Sequence, residues 1–135
     1  MQNFIQNIHW PSFFLILLLT IIVYFIIYSR RTMNKNITFL NEQEFAAVMR
    51  KGQLIDVRKK DDFEQGHING SRNIPLGLLT KNMSKLRGDQ PIYLVCADGK
   101  QSKRATMVLI SKNFTNIYAL EGGIAAWSKP LKTKK

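Results

Sequence analysis

The sequence is short of cysteine and of acidic residues, and its first 29 positions contain no Lys, Arg, Asp or Glu. The one cysteine, Cys96, excludes an intramolecular disulfide and disfavours a cysteine-rich metal site, so no metal is expected. A lone thiol is compatible with a reducing compartment. The nine acidic residues all lie between Glu42 and Glu121, so the 135-residue chain has two regions of different character. The chain is long enough for one domain of ordinary size.

The formal net charge of +11 allows three kinds of anionic partner: nucleic acid, a membrane surface or a small substrate. The sequence has no zinc-ligand spacing, no helix-turn-helix pattern and no basic stripe interleaved with aromatic residues. Nucleic-acid binding is therefore not expected. A membrane surface and small anions remain as candidate partners. The pair Gly122-Gly123 lacks the dinucleotide-binding pattern, so no cofactor is expected.

Residues 10–28 are uncharged and strongly apolar, and a helix of this length approaches the thickness of the hydrocarbon core. Arg30, Arg31 and Lys35 follow this run, whereas no Lys or Arg precedes it. The positive-inside rule then predicts a single-pass protein of the cell membrane, with residues 1–9 outside and the remainder in the cytoplasm.

Two other interpretations of the apolar run are a cleaved signal peptide and a buried core helix. A signal peptide needs a positive start, a shorter apolar stretch and a small-residue cleavage site, which are absent here. The anchor interpretation divides the rest of the chain into a basic linker at 29–36, a domain at 37–128 and a basic tail at 129–135. We expect this tail to lie near the anionic inner leaflet, and its cations are Lys129, Lys132, Lys134 and Lys135.

Strand-like and helix-like segments alternate after the linker. Strands are predicted at 37–39, 53–57, 73–75, 92–95 and 117–120, and helices at 42–50, 61–65, 77–86, 102–112 and 122–127. Asn41 and Glu44 have the spacing of a capping box at the first of these helices. The alternation predicts an α/β fold with a mostly parallel sheet of about five short strands and helices on both faces. In such sheets the ligand site lies beyond the carboxyl ends of the strands.

Cys96 lies at that edge, at the end of the predicted strand 92–95 and before a loop that runs to Gln101. The N–H groups of such a loop, with the start of the next helix, can form an anion-binding nest that favours an exposed thiolate. Ser102 is expected to cap the helix, and Lys100, Lys103 and Arg104 add positive charge. The alternative is that Cys96 is a small hydrophobic residue at the end of a buried strand.

Roles are also predicted for three further polar residues. Asp56 is expected to support the loop, because a carboxylate at a strand end can accept N–H bonds. Arg58 can reach toward substrate. His67 follows a helix-ending glycine and is expected to be a satisfied loop histidine rather than a general base.

Three segments together resemble the rhodanese-homology domain: residues 55–75, the loop 96–102, and residues 120–127. The resemblance covers nearly the whole chain after the linker. It implies a rhodanese-like fold and a sulfurtransferase that carries a persulfide on Cys96 as catalytic residue. The implied donor is thiosulfate or a persulfidated protein, and the implied acceptor is a thiol or cyanide. The substrate-binding residues would be Ala97, Asp98, Gly99, Lys100, Gln101 and Ser102, together with Arg58.

The loop also distinguishes this chain within the wider group. The phosphatase relatives have a loop one residue longer and an arginine six positions after the cysteine, where this chain has Ser102. Phosphatase activity is therefore not expected. The sulfurtransferases usually end the loop with arginine, where this chain has the uncharged Gln101. A catalytically weak binding or regulatory module tethered at the membrane is thus the alternative function.

Overall fold

The computed structural model describes residues 10–34 and 37–134, which form two units: an N-terminal helix and the domain that follows it. The helix, α1, spans Trp10–Asn34. Its stretch Trp10–Arg31 has a mean hydropathy of 2.5 and no buried residues, so it is long and apolar enough to cross a membrane. This agrees with the predicted span, which α1 extends beyond residue 28.

The second unit contains a five-stranded parallel sheet in the order β1-β5-β4-β2-β3. The strands are β1 (Ile37–Leu40), β2 (Gln53–Asp56), β3 (Arg72–Asn73), β4 (Ile92–Val95) and β5 (Ile117–Leu120). The α-helices are α2 (Glu42–Val48), α3 (Lys60–Gln65) and α4 (Lys100–Ser111). Short 3₁₀ segments lie at Met49–Lys51, Leu76–Leu78, Thr80–Lys85 and Gly123–Ala126. The predicted class, strand number and parallel direction are confirmed.

Each sheet face has its own apolar core, because successive strand residues point to opposite sides. In β4, Leu94 packs with Ala105 and Leu109 of α4, whereas its neighbour Tyr93 packs with Phe45 of α2. Helices therefore cover both faces, as predicted. Cys96 lies two residues after Leu94 and belongs to the same core as α4.

The sequence patterns predicted the start of α2 correctly and the structure of residues 77–86 incorrectly. Asn41 caps α2 and forms the predicted capping box with Glu44. The single helix predicted at 77–86 is wrong, since two 3₁₀ segments occupy this region. The N–H of Asn82 donates to the carbonyl of Leu79, three residues back, and the Asn82 side chain occupies the carbonyl of Leu78 at 2.8 Å. In an α-helix, the Leu78 carbonyl would instead accept from the backbone N–H of Asn82.

The segment after residue 128 is bonded to the domain. His67 and Lys132 exchange two backbone hydrogen bonds of 2.8 and 2.9 Å, and the N–H of Lys134 donates to the backbone carbonyl of Glu64 at 3.1 Å. The side chain of Leu131 packs against Gly66. Lys129, Lys132 and Lys134 are nevertheless exposed, so their ammonium groups face solvent. Lys135, the last cation of the predicted tail, lies outside the described residues.

Candidate active site

The candidate site is the loop that joins β4 to α4. The chain leaves β4 at Cys96 and turns at Gly99, whose φ of +92° lies in the left-handed region that favours glycine. Gly99 is the N-cap of α4, which begins at Lys100. The prediction that Ser102 caps this helix is therefore wrong, because the helix starts two residues earlier.

Ser102 lies instead in the first turn of α4, with its side chain directed at the thiol. Its hydroxyl donates to the Sγ of Cys96 at 3.2 Å, and the N–H of Gly99 donates to the same sulfur at 2.8 Å. Two donors and the positive end of a twelve-residue helix thus converge on one atom. Both donors can form charge-assisted hydrogen bonds with an anionic sulfur.

The thiol itself is covered, which differs from the exposed thiol that the sequence predicted. Cys96 is completely buried, and its neighbour in the loop Gly99 is buried as well. The side chain of Cys96 points to the sheet face that α4 covers, so the loop closes over it. Ala97, Asp98 and Lys100 form the exposed outer surface of the loop.

Asp98 and Lys100 interact with each other rather than with the sulfur. The N–H of Lys100 donates to the Asp98 carboxylate at 3.1 Å, and the Lys100 ammonium lies 3.9 Å from the same carboxylate. Only part of the predicted nest therefore faces the thiol. Gln101 is half-buried, and its Oε1 has no hydrogen-bond partner among the described residues.

Asp56 and Arg58 form a buried ion pair beside the loop. The guanidinium of Arg58 contacts both carboxylate oxygens of Asp56 at 2.8 to 3.1 Å and donates to the carbonyl of Gly66 at 2.7 Å. The Asn73 side chain donates to the carbonyls of Asp56 and Arg58, which fixes this turn to β3. The bonds to the Asp56 carboxylate come from Arg58 and hold the turn after β2, and among the described residues none comes from the Cys96 loop. Support of that loop by Asp56 and substrate binding by Arg58 both stay predictions.

Residues after β5 hold the outer side of the loop, a contribution that sequence reasoning missed. The N–H of Ile124 donates to the carbonyl of Cys96 at 2.8 Å, and the N–H of Ala125 donates to that of Ala97 at 3.1 Å. Gly123 permits this approach, since a Cβ there would lie 2.4 Å from the Cys96 oxygen. The available signal was the pair Gly122-Gly123, which lies at the start of the predicted helix 122–127 and was compared only with the dinucleotide-binding pattern.

Two open cavities flank the loop. One, of about 470 Å³, is lined by Arg58, Asp62, Ala97 and Leu131 among others. The other, of about 310 Å³, is lined by Asp98, Lys100, Lys103 and Glu121 among others. Cys96 lines neither of them, so a molecule in either cavity would meet the loop before the sulfur.

His67 is held within the fold through one ring nitrogen and its ring face. Its Nδ1 lies 2.8 Å from the carbonyl oxygen of Phe63, and its ring stacks on the Phe63 ring at 3.9 Å. It is buried, which agrees with the expected loop histidine. Within residues 10–34 and 37–134, no three His, Cys, Asp or Glu side chains come together in a way that could hold a metal.

The chain is similar to known proteins across this region. Residues 41–130 match the rhodanese-like domain. YqhL of Bacillus subtilis is 43% identical over 124 residues, which are 90% of this chain and 95% of YqhL. The thiosulfate sulfurtransferase GlpE of Shewanella oneidensis is 33% identical over 75 residues, which are 56% of this chain and 74% of GlpE.

Solved structures agree with these sequence matches. The rhodanese-related protein of Thermoplasma volcanium has a TM-score of 0.64 and 26% identity, over 72% of this chain and 99% of that one. The family match includes β4, the loop around its cysteine, and the segment that holds this loop in place. By sequence and by fold, the chain belongs to the rhodanese-like domain family.

Proposed function

We propose that this protein is a membrane-anchored sulfurtransferase that carries sulfur as a persulfide on Cys96. The observation that carries the proposal is the convergence of the Gly99 N–H and the Ser102 hydroxyl on Sγ. A thiolate and a persulfide anion both need such donors. Similarity to thiosulfate sulfurtransferases supports the same chemistry.

The proposed reaction has two steps. The Cys96 thiolate attacks the sulfane sulfur of the donor, so a new S–S bond forms on Cys96 while the donor's own bond to that sulfur breaks. With thiosulfate, sulfite leaves with the electron pair. A thiolate acceptor then attacks the outer sulfur, the S–S bond on Cys96 breaks, and the Cys96 thiolate is restored.

The loop must move during this cycle, because Cys96 is fully buried. Ala97, Asp98 and Lys100 form the exposed cover and border the two cavities. A donor that occupies either cavity displaces these residues to reach the sulfur. The Asp98 carboxylate and the Lys100 ammonium, 3.9 Å apart, both lie in this path.

Mass spectrometry of the full chain in a neutral detergent tests the proposal. Incubation with thiosulfate or a small persulfide should add the mass of one sulfur atom to the protein, and a thiol should remove it. The Cys96→Ser variant is the control. A folded chain that gains no sulfur from either donor would reject the enzyme and leave the tethered binding module.

The anchor and its direction belong to the same proposal. Arg30 and Arg31 lie near the C-terminal end of α1, after its apolar stretch, which supports a cytoplasmic location of the domain. In a Cys96→Ser background, Gln2→Cys should react with a membrane-impermeant maleimide added to intact cells. Labelling only after the cells are opened would reverse the proposed orientation.

A further inference from the structure

A basic cavity lies along the free edge of the sheet, next to β3. It has a volume of about 650 Å³. Its walls come from β3 and the residues around it, from α3, from the 3₁₀ segments after β3, and from Lys134. It is distinct from the two cavities that border the Cys96 loop, since it shares no lining residue with them.

The charge around this cavity is strongly positive. Four cations line it, namely Lys60, Arg72, Lys85 and Lys134, against the single carboxylate of Glu64. Glu64 lies 3.9 Å from Lys60, at the limit of an ion pair. Among the described residues, the guanidinium of Arg72 donates to neutral oxygens alone, the Lys85 carbonyl and the Gln53 amide, at 3.3 and 3.4 Å. An anionic partner would therefore meet cations that are weakly compensated.

The backbone of β3 is available for pairing on this side. Asn73 is opposite Asp56 in the parallel register, and the N–H of Ile74 donates to the Asp56 carbonyl. Backbone groups alternate in direction along a strand, so the N–H and C=O of Asn73 point away from β2. Because β3 is an edge strand, these two groups face the open side of the sheet, where the cavity lies.

The wall of the cavity also contains apolar side chains. Phe63, Ile74, Pro75 and Leu78 are among the lining residues. A concave site with an open strand edge, apolar walls and cationic residues suits an extended chain with alternating acidic and apolar side chains. A flat membrane surface could use the cations but could pair with neither backbone group of Asn73.

We propose that this cavity, which we call the β3 groove, binds an acidic, extended peptide segment of a partner protein as an added strand. The partner's backbone pairs with Asn73. Its apolar side chains pack toward Phe63 and Leu78, and its carboxylates approach Lys85 and Lys134.

Fluorescence anisotropy with the full chain in neutral detergent tests this binding. The probe is a labelled peptide of alternating Glu and Val residues, and its counterpart with Lys in place of Glu is the charge control. The Glu–Val peptide should bind and the Lys–Val peptide should not. Lys85→Gln and Lys134→Gln should each weaken binding about threefold, as expected for an exposed charge pair. Lys112 is an exposed cation at the C-terminal end of α4, and Lys112→Gln should have no effect on binding.

Two further measurements separate strand addition from simple charge attraction. The bound peptide should slow hydrogen exchange at the amide of Asn73, and N-methylation of alternate peptide residues should abolish binding. Equal binding of the N-methylated peptide would overturn the proposal in favour of charge attraction alone. Failure of the Glu–Val peptide to bind, with groove-dependent binding of phosphatidylglycerol nanodiscs instead, would overturn it in favour of a membrane surface.

Discussion

Ser102, the third residue of α4, donates its hydroxyl to the sulfur of Cys96, the residue that follows β4. Both residues are completely buried. The helix thus contributes a side chain, in addition to its N-terminal dipole, to the stabilisation of charge on sulfur. A hydroxyl six positions after the cysteine therefore fits a loop that handles a sulfur anion.

Replacement of Ser102 by alanine should slow sulfur loading of Cys96 about tenfold, since a hydrogen bond to a charged group contributes roughly 1.5 to 3 kcal/mol. The rate of mass gain with a persulfide donor measures this effect. Ser111→Ala, which removes an exposed hydroxyl from the same helix, is the matched control. An unchanged rate in a folded Ser102→Ala chain would exclude the hydroxyl from the chemistry.

Replacement of Gln101 by arginine should raise the rate of loading from thiosulfate about tenfold, because a guanidinium beside the loop offsets the charge of the dianion. The side chain at this position is half-buried, and its Oε1 makes no hydrogen bond among the described residues. Gln43→Arg adds the same charge at an exposed position on α2 and should change nothing. Equal rates in the wild type and Gln101→Arg would show that charge at position 101 does not limit turnover.

Replacement of Gly123 by alanine should destabilise the domain and displace the loop. The φ of Gly123 is +62°, which costs a residue with a Cβ about 1 to 2 kcal/mol, and the new Cβ would also collide with the Cys96 carbonyl. Denaturant unfolding and the loading rate should both be affected. Gly88→Ala, where a Cβ has nothing within 4 Å, is the control. Normal loading by Gly123→Ala would mean that the contact does not position the loop.

Replacement of Arg58 by methionine should lower the free energy of unfolding by about 3 to 5 kcal/mol, because it leaves the buried carboxylate of Asp56 without its partner. The exposed pair Arg87–Asp89 provides the control, since Arg87→Met should cost less than about 1 kcal/mol. A raised KM for the donor with little loss of stability would instead assign Arg58 to substrate binding.

Replacement of Glu42 by glutamine should reduce stability at neutral pH and have little effect in acid. The hydrogen bonds from the backbone and side chain of Ser128 lower the pKa of Glu42 below its usual value of 4.5. A carboxyl group whose folded pKa is depressed stabilises the fold above its unfolded pKa and loses that contribution as the pH falls. The difference in the free energy of unfolding between the variant and the wild type, measured in urea, should therefore shrink below about pH 4.5. Glu121→Gln is the exposed control, and a gap independent of pH would contradict the assignment.

Much of the fold could be predicted from the sequence, because its signals are local. The capping box of Asn41 and Glu44 marks the start of α2, and short apolar runs between turn residues mark the strands. Residues 77–86 were mispredicted as one helix because i,i+3 and i,i+4 apolar spacing does not separate a 3₁₀ segment from an α-helix. The competing bond from the Asn82 side chain is visible only in the structure.

The site was predictable in its location but not in its geometry. A cysteine after a buried strand, followed by a glycine and a helix, correctly located the loop. The direction of the Ser102 side chain depends on where α4 begins. Because of the left-handed turn at Gly99, the helix begins at Lys100, two residues before the predicted start. The depth of the sulfur depends on tertiary packing against α4, which no local pattern encodes.

The bonds from Ile124 and Ala125 to the Cys96 loop have a consequence for biosynthesis. A ribosome makes the thiol almost thirty residues before it makes the two amides that hold the loop, and β1 acquires its neighbour β5 only in that same late stretch. A nascent chain that has just exposed Cys96 therefore lacks the completed site. The proposed sulfur chemistry would begin only after the segment that contains Ile124 and Ala125 has folded onto the loop.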